Sequence, residues 1–225
     1  MTILVLGASG FVGRGMMVYL DRQGYSVSGF DEPHKIKSFT EFGLKIFNLN
    51  SLMDEGDDNP LAFADVVVNC FGEISPEGPL YDKNVKFISD ICKFIRKKRD
   101  PKGSLIRWIQ ISSVGVYGCS RYFSRSSSNA IVVDERSIIN PTNAYEQSKV
   151  DGDTLLLNSH GQCVDLALVR AGSVIDKTMR NSFVIHLIRA VRDRYFVYIN
   201  DSTYRFNWIA LTDLTHVIEA CIRDD

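Results

Sequence analysis

The chain opens with Gly7-Ala8-Ser9-Gly10-Phe11-Val12-Gly13, set between the apolar run Thr2–Leu6 and a segment, Phe11–Gln23, whose apolar residues Val12, Met16 and Leu20 recur at helical spacing. A strand that breaks on glycine and restarts at once as a helix begins a βαβ unit, and such units build parallel sheets. Each glycine has its own reason to be there. Gly7 allows the tight turn, Gly10 lets a pyrophosphate approach the backbone, and Gly13 lets the helix pack closely on the sheet. The free amides and the dipole at the helix N-terminus then favour an anion.

The same alternation runs on. Tyr25–Phe30, Leu44–Phe47, Asp65–Cys70, Leu105–Ile111 and Val164–Val169 read as strands. Tyr81–Arg99 reads as a long helix with its stripe at Val85, Ile88, Ile91, Cys92 and Ile95, and Thr142–Ser159 as another helix. Near-continuous β-branched strands such as Val66-Val67-Val68 imply a sheet covered on both faces. Right-handed crossovers make it a doubly wound α/β fold. After Arg170 the rhythm loosens: a helix Asn181–Arg194, short strands Tyr195–Ile199 and Phe206–Ala210, and a final helix Leu211–Arg223. Ser120–Ala130 is a polar loop with two readings, a solvated connection or a flap over the site.

Composition narrows the function classes. A net charge of −1 over 225 residues gives no polyanion-binding surface. The run Arg96-Lys97-Lys98-Arg99 is the cationic end expected of a helix, so no nucleic-acid partner is expected. The first apolar run is too short for a signal peptide or a membrane span, and no membrane partner is expected. Five scattered cysteines without a C-x-x-C pair point to a reducing, cytoplasmic setting, and four dispersed histidines give no metal site.

Two further features carry chemistry. Asp31 ends the second strand, where an acid can hydrogen-bond both ribose hydroxyls of a dinucleotide. With Glu32 it repels a 2′-phosphate, so NAD is favoured over NADP, although Lys35 and Lys37 lie nearby. Tyr145 and Lys149 stand four apart on a helix and share a face. An ammonium beside a phenol is expected to lower its pKa and make it a usable acid/base.

Together these residues resemble the extended short-chain dehydrogenase/reductases, the NAD-dependent epimerase/dehydratase family of nucleotide-sugar enzymes. Gly7–Gly13 resembles the family's G-x-x-G-x-x-G. Asn48-Leu49 falls where an Asp–hydrophobic pair contacts adenine, and Cys70-Phe71-Gly72 stands at the Leu-Ala-Ala turn. Asn84 matches the helix asparagine. Ser112-Ser113-Val114-Gly115-Val116-Tyr117-Gly118 resembles S-S-x-x-V-Y-G, and Asp134-Glu135, Pro141 and Tyr145-x-x-x-Lys149 follow at family spacing. Val169–Val174 resembles R-P-x-x-V-Y-G, and Arg205-Phe206…Asp213 resembles R-D-F-V-x-V-x-D.

The resemblance implies a Rossmann-type sheet forming a single NAD(P)-binding domain over residues 1–225. It implies Ser113 as the hydroxyl that hydrogen-bonds the reacting oxygen, Tyr145 as the acid/base, and Lys149 as the residue that holds the nicotinamide ribose. Cofactor contacts are expected from the loop (Gly7, Ser9, Gly10, Phe11, Val12, Gly13), from Asp31, Asn48 and Leu49, and from Cys70, Phe71, Gly72, Asn84 and Arg170. Ser113, Asn181 and Arg205 are expected at the substrate. For Arg170 and Arg205 contact with a substrate phosphate and a structural ion pair both stand open, and Ser112 is expected to be structural.

There are departures. The family's 4,6-dehydratases carry Asp-Glu after the catalytic hydroxyl residue, where this chain has Val114-Gly115, so dehydration is disfavoured. Typical members also continue to a fuller C-terminal substrate lobe, here reduced to about residues 176–205. The expected function is NAD-dependent oxidation, reduction or epimerisation of a sugar-like hydroxyl or ketone, nucleotide-linked by resemblance. The alternative is a non-catalytic dinucleotide sensor or scaffold. A homodimer through Tyr81–Arg99 and the Tyr145 helix is expected from the family.

Overall fold

A computed structural model describes residues 1–36, 43–56, 59–98, 105–118, 132–179, 183–197 and 207–224. In chain order the elements are β1 (Thr2–Leu6), α1 (Phe11–Arg22), β2 (Ser26–Asp31), α2 (Pro33–Ile36), β3 (Ile46–Asn48), α3 (Pro60–Phe63) and β4 (Val66–Asn69). There follow α4 (Phe87–Lys98), β5 (Ile106–Ser113), α5 (Ala144–Ser159) and β6 (Val164–Ala171). The last are β7 (Ser173–Ile175), α6 (Phe183–Arg192), β8 (Trp208–Ala210) and α7 (Leu211–Arg223).

Six strands form one parallel sheet in the order β3-β2-β1-β4-β5-β6. Alternate residues of the central strands feed two cores. Leu4, Leu6, Val67 and Trp108 pack with Ile88, Ile91 and Ile95 of α4 and Leu156 of α5. On the other face Ile3, Val5, Val66 and Val68 meet Met16, Met17 and Leu20 of α1 and Leu214, Ile218 and Ile222 of α7. Strand order reverses between β1 and β4, so a crevice opens where the loops after these two strands diverge, the place where ligands bind in doubly wound sheets.

Three expectations need correction. The long helix does not begin as an α-helix: Asp82–Lys86 forms a π-helical turn before α4. Tyr195–Val197, the described part of the expected strand Tyr195–Ile199, is not a strand. Instead Ser173–Ile175, unpredicted, pairs in parallel with β8 as a separate two-stranded sheet. The apolar stripe of α4 is wholly taken up by the core, and its outward side carries Lys93 and Lys97. The loop Ser120–Ala130 lies outside the described residues. Among the described residues no helix is long and apolar enough to cross a membrane, and no group of His, Cys, Asp or Glu could hold a metal ion.

The π turn meets α5 at Gly152. A Cβ built there would stand 2.5 Å from the Asn84 carbonyl oxygen, which is backbone and cannot swing away. An alanine in a helix ordinarily gains about 1 kcal/mol over glycine, whereas overpacking costs about 1–3 kcal/mol. Gly152→Ala is therefore expected to destabilise the fold against its propensity gain. Urea denaturation checks the sign, and a stabilised variant would refute this account of the contact.

Candidate active site

The glycine loop is closed by backbone contacts that leave no room for side chains. Gly7 adopts φ +74°, and a Cβ there would lie 2.7 Å from the backbone of Phe71; one on Gly13 would lie 2.1 Å from the Gly7 carbonyl oxygen. The Gly7 amide donates to the Phe30 carbonyl at 2.8 Å and the Gly10 amide to the Gly7 carbonyl at 3.0 Å. Asp31, 1% exposed, fixes the loop from the next strand: its Oδ2 accepts from the Ser9 amide at 2.8 Å and its Oδ1 from the Glu32 amide at 2.7 Å.

This loop fits the pyrophosphate of a dinucleotide. Gly10 caps α1 without a side-chain hydrogen bond, so the first-turn amides that begin at Phe11 and Val12 have no side-chain cap. The Ser9 hydroxyl oxygen is buried with no hydrogen-bond partner among the described residues, an orphan that an anion would satisfy. Val12 itself packs into the core beneath α1.

The sequence assigned more residues to this end than the structure brings there. Asn48 is committed to capping the 3₁₀ turn Leu49–Met53, its Oδ1 accepting from the Asn50 amide at 3.0 Å, and Leu49 is buried in the core at 5% exposure. Neither side chain is free as the adenine contact was expected to be, because the short β3 passes straight into a helical turn that uses both. Phe71 packs on Phe87, with ring centroids 4.7 Å apart, and lines the crevice from the β4 side. Cys70 remains a neutral thiol, since burial pushes it up to about 12 against the pull of Lys149.

Asn84 is where the π turn earns its shape. Its side-chain oxygen accepts from the Glu73 amide and its nitrogen donates to the Glu73 carbonyl, each at 2.9 Å, while the same nitrogen donates to Ser148 Oγ at 2.9 Å. One buried amide thus ties the loop after β4 to α5. A Cβ on Gly72 would lie 2.6 Å from Asn84 Oδ1 and 3.4 Å from Lys149 Nζ. The Lys149 ammonium therefore sits beside the Gly72 backbone at the C-terminal end of β4, donating to the Ile111 carbonyl at 3.3 Å.

Tyr145 and Ser113 meet from α5 and the end of β5. Ser113 caps the 3₁₀ turn Val114–Tyr117, its Oγ accepting from the Gly115 amide at 3.1 Å. Its own proton is left for the Tyr145 oxygen, to which it is hydrogen-bonded. The electrostatics differ from the sequence expectation. Burial pushes the Tyr145 phenol up from its ordinary value; the Ser113 hydrogen bond lowers it, and the charges of Glu146 and Asp153 raise it. The Lys149 ammonium, 5.9 Å from the ring centroid, is itself lowered by burial, with Asp153 and Cys70 pulling the other way. Desolvation of both partners outweighs their attraction in the protein alone.

Beneath this centre lies a buried carboxylate that sequence reasoning missed. Asp153, 3% exposed, accepts from Ser112 Oγ at 2.9 Å and from Arg170 Nε at 3.2 Å, and Arg170 Nη1 donates to the Tyr117 hydroxyl at 2.8 Å. Arg170 is thus held in the ion pair that was one of its two readings, rather than in the expected cofactor contact, and Ser112 is structural as expected. The spacing held the signal: residues 145, 149 and 153 fall on one face of a helix. Asn181 and Arg205, the expected substrate residues, lie outside the described residues.

Comparison with known proteins agrees with this arrangement. No curated protein matches the chain in sequence. Among solved structures, the chain is similar to UDP-glucuronic acid 4-epimerase from Bacillus cereus, in complex with UDP-glucuronic acid and NAD (TM-score 0.76, 19% identity, covering 100% of this chain and 74% of that one). It is also similar to an NAD-dependent NDP-hexosamine 5,6-dehydratase involved in tunicamycin biosynthesis (TM-score 0.74, 19% identity, 97% and 71%). A third is dTDP-glucose 4,6-dehydratase from Bacillus anthracis in complex with NAD (TM-score 0.73, 19% identity, 100% and 72%). At these identities the likeness is one of fold. The family model of the NAD dependent epimerase/dehydratases matches residues 3–225, and the chain belongs to that family.

Proposed function

We propose that the protein is an NAD-dependent enzyme acting on a hydroxyl or ketone of a nucleotide-linked sugar, with residues 1–225 forming one cofactor-binding domain to which 176–205 add a small substrate-binding portion. The observation that carries this reading is the convergence of Ser113, Tyr145 and Lys149 at the ends of β4 and β5, beside a glycine loop with an orphaned buried hydroxyl. When bound, NAD supplies the hydride acceptor.

The chain's own residues handle the proton. Removing hydride from a carbinol carbon requires its hydroxyl to lose a proton, and Tyr145 is the group placed to take it. Ser113, held by the Gly115 amide, keeps a hydrogen bond on the oxygen where charge develops. Lys149 adds positive charge on the cofactor side of the phenol. A reductase runs the same steps in one direction, whereas an epimerase runs them forward and back; cofactor retained through purification favours the epimerase.

Two measurements test the assignment. Tyr145→Phe is expected to lower turnover by about 10²–10⁴-fold, the usual worth of a positioned acid/base, in assays of nicotinamide absorbance with a panel of nucleotide-sugars. Dinucleotide binding without any Tyr145-dependent turnover would leave only a binding protein. Ser113→Ala removes an influence that lowers the Tyr145 phenol, so its titration moves to higher pH. The deprotonated base is then scarcer at a given pH, and oxidation slows at neutral pH while its alkaline limb moves upward. Tyrosinate absorbance, with the Tyr145→Phe protein as blank, reads the shift directly.

A further inference from the structure

Past the end of β2 a second charge cluster faces the crevice from three elements. The Glu32 carboxylate accepts from Lys35 Nζ at 2.8 Å and from Lys83 Nζ at 2.9 Å through the same oxygen, Oε2. Lys83, in the π turn, also lies 3.7 Å from Glu73 Oε2. Both ammoniums stand at the Phe71 ring, 5.8 and 5.7 Å from its centroid. The sequence suggested Lys35 and Lys37 as the cations near the ribose. The structure brings Lys83 there from fifty-one residues after Glu32, and Lys37 lies outside the described residues.

Asp31 and Glu32 are therefore not equivalent acids. Both Asp31 oxygens accept backbone amides, so its charge is part of the loop's framework. Glu32 accepts from two mobile side chains. Burial raises its carboxyl, but hydrogen bonds from Lys35 and Lys83 outweigh that and hold it below the usual range. With Glu73, three carboxylates face two ammoniums, and the rim is net negative.

We propose that Glu32 sets the choice between NAD and NADP by holding Lys35 and Lys83, two cations that would otherwise receive a 2′-phosphate at this rim. This rests on the proposed cofactor function. A phosphate brings about two negative charges at neutral pH, repelled by a net negative rim and attracted once the lysines lose their main carboxylate partner. Phe71 between them keeps both ammoniums at the crevice when Glu32 is neutralised.

Isothermal titration calorimetry of the whole protein with NAD and with NADP tests it, after thermal melts confirm that each variant is folded. Glu32→Gln is expected to lower the ratio of the NADP to the NAD dissociation constant at least tenfold. Adding Lys83→Met to that variant is expected to reverse most of the change. A ratio that moves less than threefold in Glu32→Gln, or a gain that survives loss of Lys83, overturns the inference while leaving the cofactor function standing. Wild-type protein that binds neither dinucleotide overturns the cofactor function itself, and the inference with it.

Discussion

Everything in the site depends on how closely the loop after β1 approaches the loop after β4. Where strand order reverses, Gly7 meets the backbone of Phe71 at a distance that excludes any side chain. That contact sets the glycine loop, Phe71 and Gly72 against one another. From Gly72 the same closeness continues to Asn84 and Lys149, and from Asn84 to Gly152. The crevice is built largely of backbone, held at fixed separations by missing Cβ atoms. Side chains with chemistry enter only at its edges.

Burial and charge then divide the labour. Asp31, Asn84 and Asp153 are all buried and are all occupied, each joining two or three elements by hydrogen bonds. Buried polar groups of this kind are costly unless satisfied, and satisfied they fix geometry. Tyr145, Lys149 and Ser113 are only partly buried and lie above them. The apolar environment that orders the site also disfavours both the phenolate and the ammonium, so the protein alone does not prime the base.

Much of this was legible in the sequence because it is periodic or local. β1 and α7 match their expected bounds to the residue, and the parallel order follows from the βαβ rhythm. Spacing placed Tyr145 beside Lys149 and Ser113 at a strand end. Spacing cannot report dielectric, however, and so the direction of the Tyr145 shift was read from the ammonium rather than from burial. Contacts between distant segments were equally hidden. Nothing local to Lys83 says that it returns to Glu32, and nothing local to Asn48 says that its side chain is spent on a cap. The strand Ser173–Ile175 was missed because three residues carry too little pattern, and its partner β8 supplies the pairing.

The π turn at Asp82–Lys86 has a consequence for how this chain tolerates change in length. A wide turn holds one residue more than the α-helix it leads into. A single-residue deletion there could be absorbed by tightening to α geometry, with α4 and its core stripe left in place. The residues upstream would then rotate by roughly 100° about the helix axis, carrying Asn84 off the Glu73 loop and away from Ser148. The helix would survive the loss while the crevice lost its brace, so at this position the length of the chain is itself part of the site.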